Sequence, residues 1–170
     1  MPLTTHKLDI FHAGQRLSSA FKSSIDGSLW SGSYVSVGII YETLGTKFIW
    51  ELFDRQTIGS MIFLDLIYSF ITKLLIIYLV LLVVNNLNFN LNYKIIFFLI
   101  SSLTLLSAND YNQHSGDLIS FREIPIILCL IFFLKSIFTG KNIYYFLIGF
   151  LTLFVFFWSI DRGIVLILFI

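Results

Sequence analysis

Charge is the scarcest property of this chain. Only 12% of its 170 residues are Asp, Glu, Lys or Arg, about half the share of a soluble globular domain. The deficit falls almost entirely after residue 57, which points to membrane rather than to an oily soluble core. Cysteine is nearly absent. The single Cys129 lies inside an apolar run, which excludes an intrachain disulfide and a cysteine metal cluster. It reads as a small buried hydrophobe. Proline is almost as rare. Pro125 opens an apolar segment, where its missing N–H costs nothing, so no proline-broken span of the transporter kind is visible. The first 56 residues contain no apolar core behind a basic start, so targeting falls to internal segments. The net charge of +1 gives no reason to expect a nucleic-acid partner.

What is present in excess is apolar surface: 57% hydrophobic residues and a mean hydropathy of +0.88. Ile58 to Val84 organises the rest. Fourteen of the nineteen residues from Leu66 to Val84 are Leu, Ile, Val or Phe, and Lys73 is the one charge. Fourteen such residues favour insertion by about 6 kcal/mol, and one central Lys opposes it by about 3 kcal/mol. Insertion wins, and the length suits a hydrocarbon core of about 30 Å. Further apolar segments follow at about 91–108, 124–138 and 143–159. A fifth begins at 163 and stops at 170, so it covers only about 12 Å. The expected fold is all-α: a polytopic helical membrane protein with about four spans plus a truncated fifth. On this reading the chain is expected to be a fragment of a longer protein.

Residues 1–56 are expected to form an outward-facing segment carrying two amphipathic helices in the plane of the bilayer. Gln15 to Ile25 places Leu17, Ala20, Phe21, Ser24 and Ile25 on one side at the 3.6-residue period, and Asp26–Gly27 ends it. Ile39 to Phe53 repeats the pattern with Ile40, Leu44, Phe48 and Leu52. Trp30, Tyr34, Tyr41 and Trp50 suit a membrane interface. A Ser/Gly loop over Ser28–Ser33 would join the two helices.

Charge sets the expected topology. If the four spans alternate, Asn85–Lys94 and Lys135–Asn142 share one side and hold Lys94, Lys135 and Lys141 with no acid. By the positive-inside rule this side is cytoplasmic. Nine of the ten acids fall on the opposite side, and Asp65 sits near the outer end of the first span. The location implied is the cytoplasmic (inner) membrane, multi-pass, with acidic loops outward. A preceding helix would then be needed to carry residues 1–56 across.

Three outward polar clusters could carry chemistry: Asp9 to Arg16, Asn109 to Asp117 followed by Arg122–Glu123, and Asp161-Arg162-Gly163. A carboxylate at the membrane surface can serve as a general base or hold a divalent cation, and an Arg can neutralise phosphate. Each also has a plain reading. Asp117 and Glu123 can be solvated loop residues, Asp161 an acid in a first helical turn, and Asp9 a surface charge. His12 and His114 lack metal-ligand spacing. Lys73, an ionisable residue at mid-span, either faces the bundle or snorkels to an interface.

The order of these features resembles the GT-C superfamily of integral membrane glycosyltransferases, which use polyprenyl-phosphate sugars. The residues that carry it are Asp9 with His12-Ala13-Gly14-Gln15-Arg16, Gly38 to Phe53, the turn Asp54-Arg55-Gln56-Thr57-Ile58-Gly59, and Asp161-Arg162-Gly163. The resemblance implies Asp9 as general base or metal-binding residue. It implies Arg16 and Arg162 as contacts to the carrier phosphate. His12, Asp110, His114 and Asp161 would shape the sugar or acceptor pocket, and the lipid tail would run near Lys73. The second acid that follows the first in that family is absent here, so the metal stays open, a divalent ion being one option. The implied partners are a polyprenyl-phosphate-linked sugar and the lipid bilayer. Two other classes compete. A polysaccharide polymerase, ligase or flippase predicts essential Arg or His in outward loops and tolerance of Asp9→Asn. A non-enzymatic membrane module predicts paired intramembrane charges.

Overall fold

The computed structural model describes residues 10–27, 38–107 and 121–169. All regular structure among them is helical. Helix α1 spans Ile10–Asp26, α2 Gly45–Phe53, α3 Ile58–Asn85, α4 Leu91–Ser107, α5 Ile124–Thr139, α6 Ile143–Trp158 and α7 Ile160–Phe169. A π-helical turn, Ile40–Leu44, leads into α2, and a 3-10 turn, Phe121–Glu123, leads into α5. Ile58–Asn86 is long and apolar enough to cross a membrane; Leu91–Leu105, Ile124–Thr139 and Ile143–Trp158 are shorter apolar helices.

Local chemistry sets the ends. Helix α1 starts five residues before the expected Gln15 and stops at Asp26, followed by Gly27 at φ 66°, the left-handed region that glycine enters without penalty. At the start of α3, the Thr57 hydroxyl accepts the Ser60 N–H at 3.2 Å, satisfying one of the first-turn donors. Asp54, at φ 50°, closes α2 by donating its N–H to the Trp50 carbonyl. Trp50 in turn donates Nε1–H to the Thr57 carbonyl at 3.1 Å. One indole therefore ties down the whole Asp54–Thr57 turn. Helix α7 begins at Ile160, not at Gly163 as the hydropathy predicted. Ser159 is an extended single-residue hinge, and its carbonyl accepts the Gly163 N–H at 2.9 Å. Asp161 and Arg162 thus lie in the first helical turn rather than in a loop.

Helices α3 and α5 run parallel, and α4 and α6 run against them. Ile76, Ile127 and Ile131 fill the middle of the bundle, with Leu75, Leu79 and Leu105 packed around them. Tyr41, Ile124 and Trp158 close one end, with Tyr68 and Leu75 from α3. Ala20, Ile49, Trp50 and Leu64 join α1 and α2 to the same end.

The apolar stripes read from the sequence are divided between inside and outside: Leu17, Ala20 and Ile40 pack inward, while Phe21, Ile25, Phe48 and Leu52 are exposed. Helix α1 buries Arg16, Ser19, Ala20 and Ser23, and leaves Phe21 and Ile25 exposed. The π turn and α2 bury Tyr41, Glu42, Thr43, Thr46, Ile49 and Trp50, while Phe48 and Leu52 are exposed by 62% and 63%. Small and polar side chains hydrogen-bond and fit closely: Ser19 Oγ and Thr43 Oγ1 share a short hydrogen bond between the two elements. Gly38 lies so close to the end of α6 that a Cβ would collide with the Trp158 carbonyl oxygen. In α4, Leu91, Ile100 and Leu103 are at least 60% exposed, while Leu105 packs against the bundle core.

Candidate functional site

The polar residues gather where α3 and α5 begin and α6 ends. Arg16 of α1 reaches Asp65 of α3 with both terminal nitrogens: Nη1 to Oδ2 at 2.9 Å and Nη2 to Oδ1 at 2.9 Å. Both side chains are almost wholly removed from solvent. Nη1 makes a hydrogen bond and Nη2 an ion-pair contact, and together they oppose a desolvation cost of several kcal/mol per ion. The guanidinium also lies over the Tyr41 ring, 4.7 Å from its centroid. Arg122, just before α5, lies 5.3 Å from the centroid of the same ring. Tyr41 is therefore the common neighbour of two cations, each contact worth about 0.5–2 kcal/mol. Burial pushes the Tyr41 phenol above its usual range; Asp65 adds to this, and the two arginines oppose it.

The π turn explains how Tyr41, Glu42 and Thr43 can be buried as three consecutive residues. In an α-helix of this size one of them would face out. The extra residue per turn, marked by the Gly45 N–H bonding to the Ile40 carbonyl, widens the inward face, a device that recurs at functional sites.

A second ion cluster adjoins the first through Tyr68 and Trp158, whose rings are 5.3 Å apart edge to face. Glu123 pairs with Arg162 at 2.7 Å, and Arg162 reaches Asp161 at 3.8 Å. The Ser159 hydroxyl donates to Asp161 in a short hydrogen bond. Burial raises the Glu123 carboxyl above the ordinary glutamate range; Asp161 raises it further, and Arg162 and Arg122 pull it down. Among the described residues, Arg16 Nε, Trp158 Nε1 and Arg162 Nε at this end make no hydrogen bond, and Arg16 Nη2 makes an ion-pair contact only.

The structure thus brings Arg16, Asp161 and Arg162 to one end of the bundle. Arg16 is engaged by Asp65 rather than presented to solvent. His12 falls in the first turns of α1. Lys73 sits half-buried midway along α3, about 12 Å along the helix from Asp65. Asp9, Asp110 and His114 lie outside the described residues, as does the Ser28–Ser33 loop. The sequence reads Tyr41 as an interfacial aromatic and Arg122 as one of an outward polar cluster; the structure buries Tyr41 between Arg16 and Arg122 and gives Asp65 a partner that the sequence does not name. The signal for Asp65 was available: an acid inside an apolar helix needs a partner, and Arg16 satisfies that need.

The opposite end differs. Lys94 Nζ donates to the Asn85 carbonyl at 3.0 Å, closing α3. Lys135 Nζ lies 5.1 Å from the Tyr78 centroid and 5.9 Å from that of Tyr144. No group of three or more His, Cys, Asp or Glu side chains among the described residues could hold a metal ion. Comparison of the chain with known protein families, characterised proteins and solved structures returned no match.

Proposed function

We propose that this chain is part of a polytopic inner-membrane glycosyltransferase of the GT-C kind, moving a sugar from a polyprenyl-phosphate carrier to an envelope acceptor. The observation that carries the reading is the gathering of Arg16, Arg122 and Arg162 with Asp65, Glu123 and Asp161 at one end of apolar helices. A polyprenyl-phosphate sugar has two demands. Its tail needs an apolar surface along the helices, and its phosphate needs cations where those helices end. The outward-turned apolar side chains of α1 to α6 meet the first demand as lipid contacts. The arginines, held by acids and an aromatic ring, meet the second. Helices of 16 residues cover about 24 Å, enough to span with local thinning of the bilayer. In this reading the arginine-rich end faces outward and the lysine end faces the cytoplasm.

Asp9, on the chain leading into α1, is the proposed base or metal-binding residue. Arg16 and Arg162 are the proposed contacts to the carrier phosphate, and Arg122, which shares the Tyr41 ring with Arg16, is added to them. The test is transfer of labelled sugar from a polyprenyl-phosphate donor by membranes carrying the protein. Asp9→Asn and Arg122→Gln should each lower the rate by about 100-fold or more. Retained transfer in Asp9→Asn, with loss in Arg122→Gln, would favour an envelope polymerase or ligase instead.

A further inference from the structure

We propose that the lysine end of the bundle binds the phosphate headgroup of an anionic phospholipid, with Lys135 as its centre. The proposal rests on the membrane reading above but not on the sugar-transfer reading. Lys135 is not an isolated surface charge. It comes from α5, and its ammonium is held against Tyr78 of α3 and Tyr144 of α6, while Tyr144 stacks on Phe132 with centroids 6.1 Å apart. Three helices therefore fix one cation in place. Lys141 stands exposed in the following turn, which Gly140 opens at φ 66°.

Charge and polarity together name the occupant. The chain has no Asp or Glu from Leu66 to Ala108 or from Ile124 to Ile160, so nothing on these helices neutralises the two lysines. An anion is called for. Immediately beside them Ile137, Ile143 and Phe146 are exposed by 56%, 55% and 70%. A ligand that meets the lysines therefore also meets apolar side chains along the helix axes. A lipid with a phosphate head and acyl chains matches both; a soluble anion matches only the first. Exposed Tyr145 adds a phenol at the same level, as interfacial aromatic residues do.

The test is native mass spectrometry of the detergent-solubilised chain titrated with phosphatidylglycerol or phosphatidylcholine, alongside flotation with vesicles of each lipid. The wild type should retain phosphatidylglycerol in preference. Lys135→Gln and Lys141→Gln should each weaken that binding about fivefold. Lys135→Arg should retain it, and Lys22→Gln at the other end should leave it unchanged. Equal retention of both lipids by the wild type, or undiminished binding by both glutamine variants, would overturn the proposal. Failure of the wild type to float with either vesicle would overturn the membrane reading and this site with it. Absence of sugar transfer would leave the lipid result standing.

Discussion

At one end of the bundle, cations are buried beside acids; at the other, lysines stand with tyrosines and no acid. Arg16 and Asp65 cross from α1 to α3 inside the protein, whereas Lys135 reaches out past two rings. The difference lies in what each charge does for the fold. A buried, two-pronged pair orients one helix on another, because any displacement leaves two ions desolvated and unpaired. A lysine at the rim costs little to hold and is open to a partner. The mixed end is thus built as a fixed site, and the lysine end as a surface.

The largest expected effect comes from breaking the fixed end. Asp65→Ala leaves Arg16 charged and enclosed, and should destabilise the protein by about 3–5 kcal/mol, read from thermal unfolding in detergent. Adding Arg16→Met in the same chain should recover much of that loss. If the single and double variants unfold alike, the pair is not what holds α1 to α3.

Close packing at the same end gives a smaller effect. Gly38→Ala drives a methyl into the Trp158 carbonyl and the Ser159 nitrogen, both backbone, and should cost about 1–3 kcal/mol. Gly149→Ala, in α6 with nothing within 4 Å of its Cβ, should stabilise by up to about 1 kcal/mol. Opposite signs at these two glycines, measured by the same unfolding assay, would sharpen the contrast between packed and open surface.

The smallest effect is in pH. Glu123 has a raised affinity for its proton in the folded state, chiefly through burial. The folded chain then holds this proton more tightly than the unfolded chain. Its contribution to stability is complete below the ordinary glutamate range and is lost as pH rises through the raised folded value. Glu123→Gln should flatten that part of the stability–pH profile. A profile unchanged by the substitution would show that Arg162 and solvent, not burial, govern this carboxyl.

Much of the architecture was legible along the chain. Apolar runs placed α3 to α6 within one or two residues of their observed ends, since such runs bounded by Asn, Gly and Pro leave little choice of helix. Asp26–Gly27 and Pro125 marked ends that the structure retains. The candidate site was legible only in part. The sequence marks Arg16, Asp161 and Arg162 as members of polar clusters, but not their partners. Asp65 lies 49 residues from Arg16, and Tyr41 lies 81 residues before Arg122; no local period links such positions.

Hydropathy and periodicity determined that this chain is helical, where its helices run, and which residues are amphipathic, because those properties depend on neighbours within a few turns. They did not determine which face of α1 and α2 turns inward. Periodicity finds a stripe but not the medium outside it. Tertiary packing decided that: Ser19 pairs with Thr43 and Arg16 with Asp65 across the elements, Ala20, Ile49 and Trp50 pack with Leu64, and Phe21, Phe48 and Leu52 stay exposed. Polar and apolar side chains of α1 and α2 share the inward face, and Arg16 is thereby brought to the same end as Arg122 and Arg162.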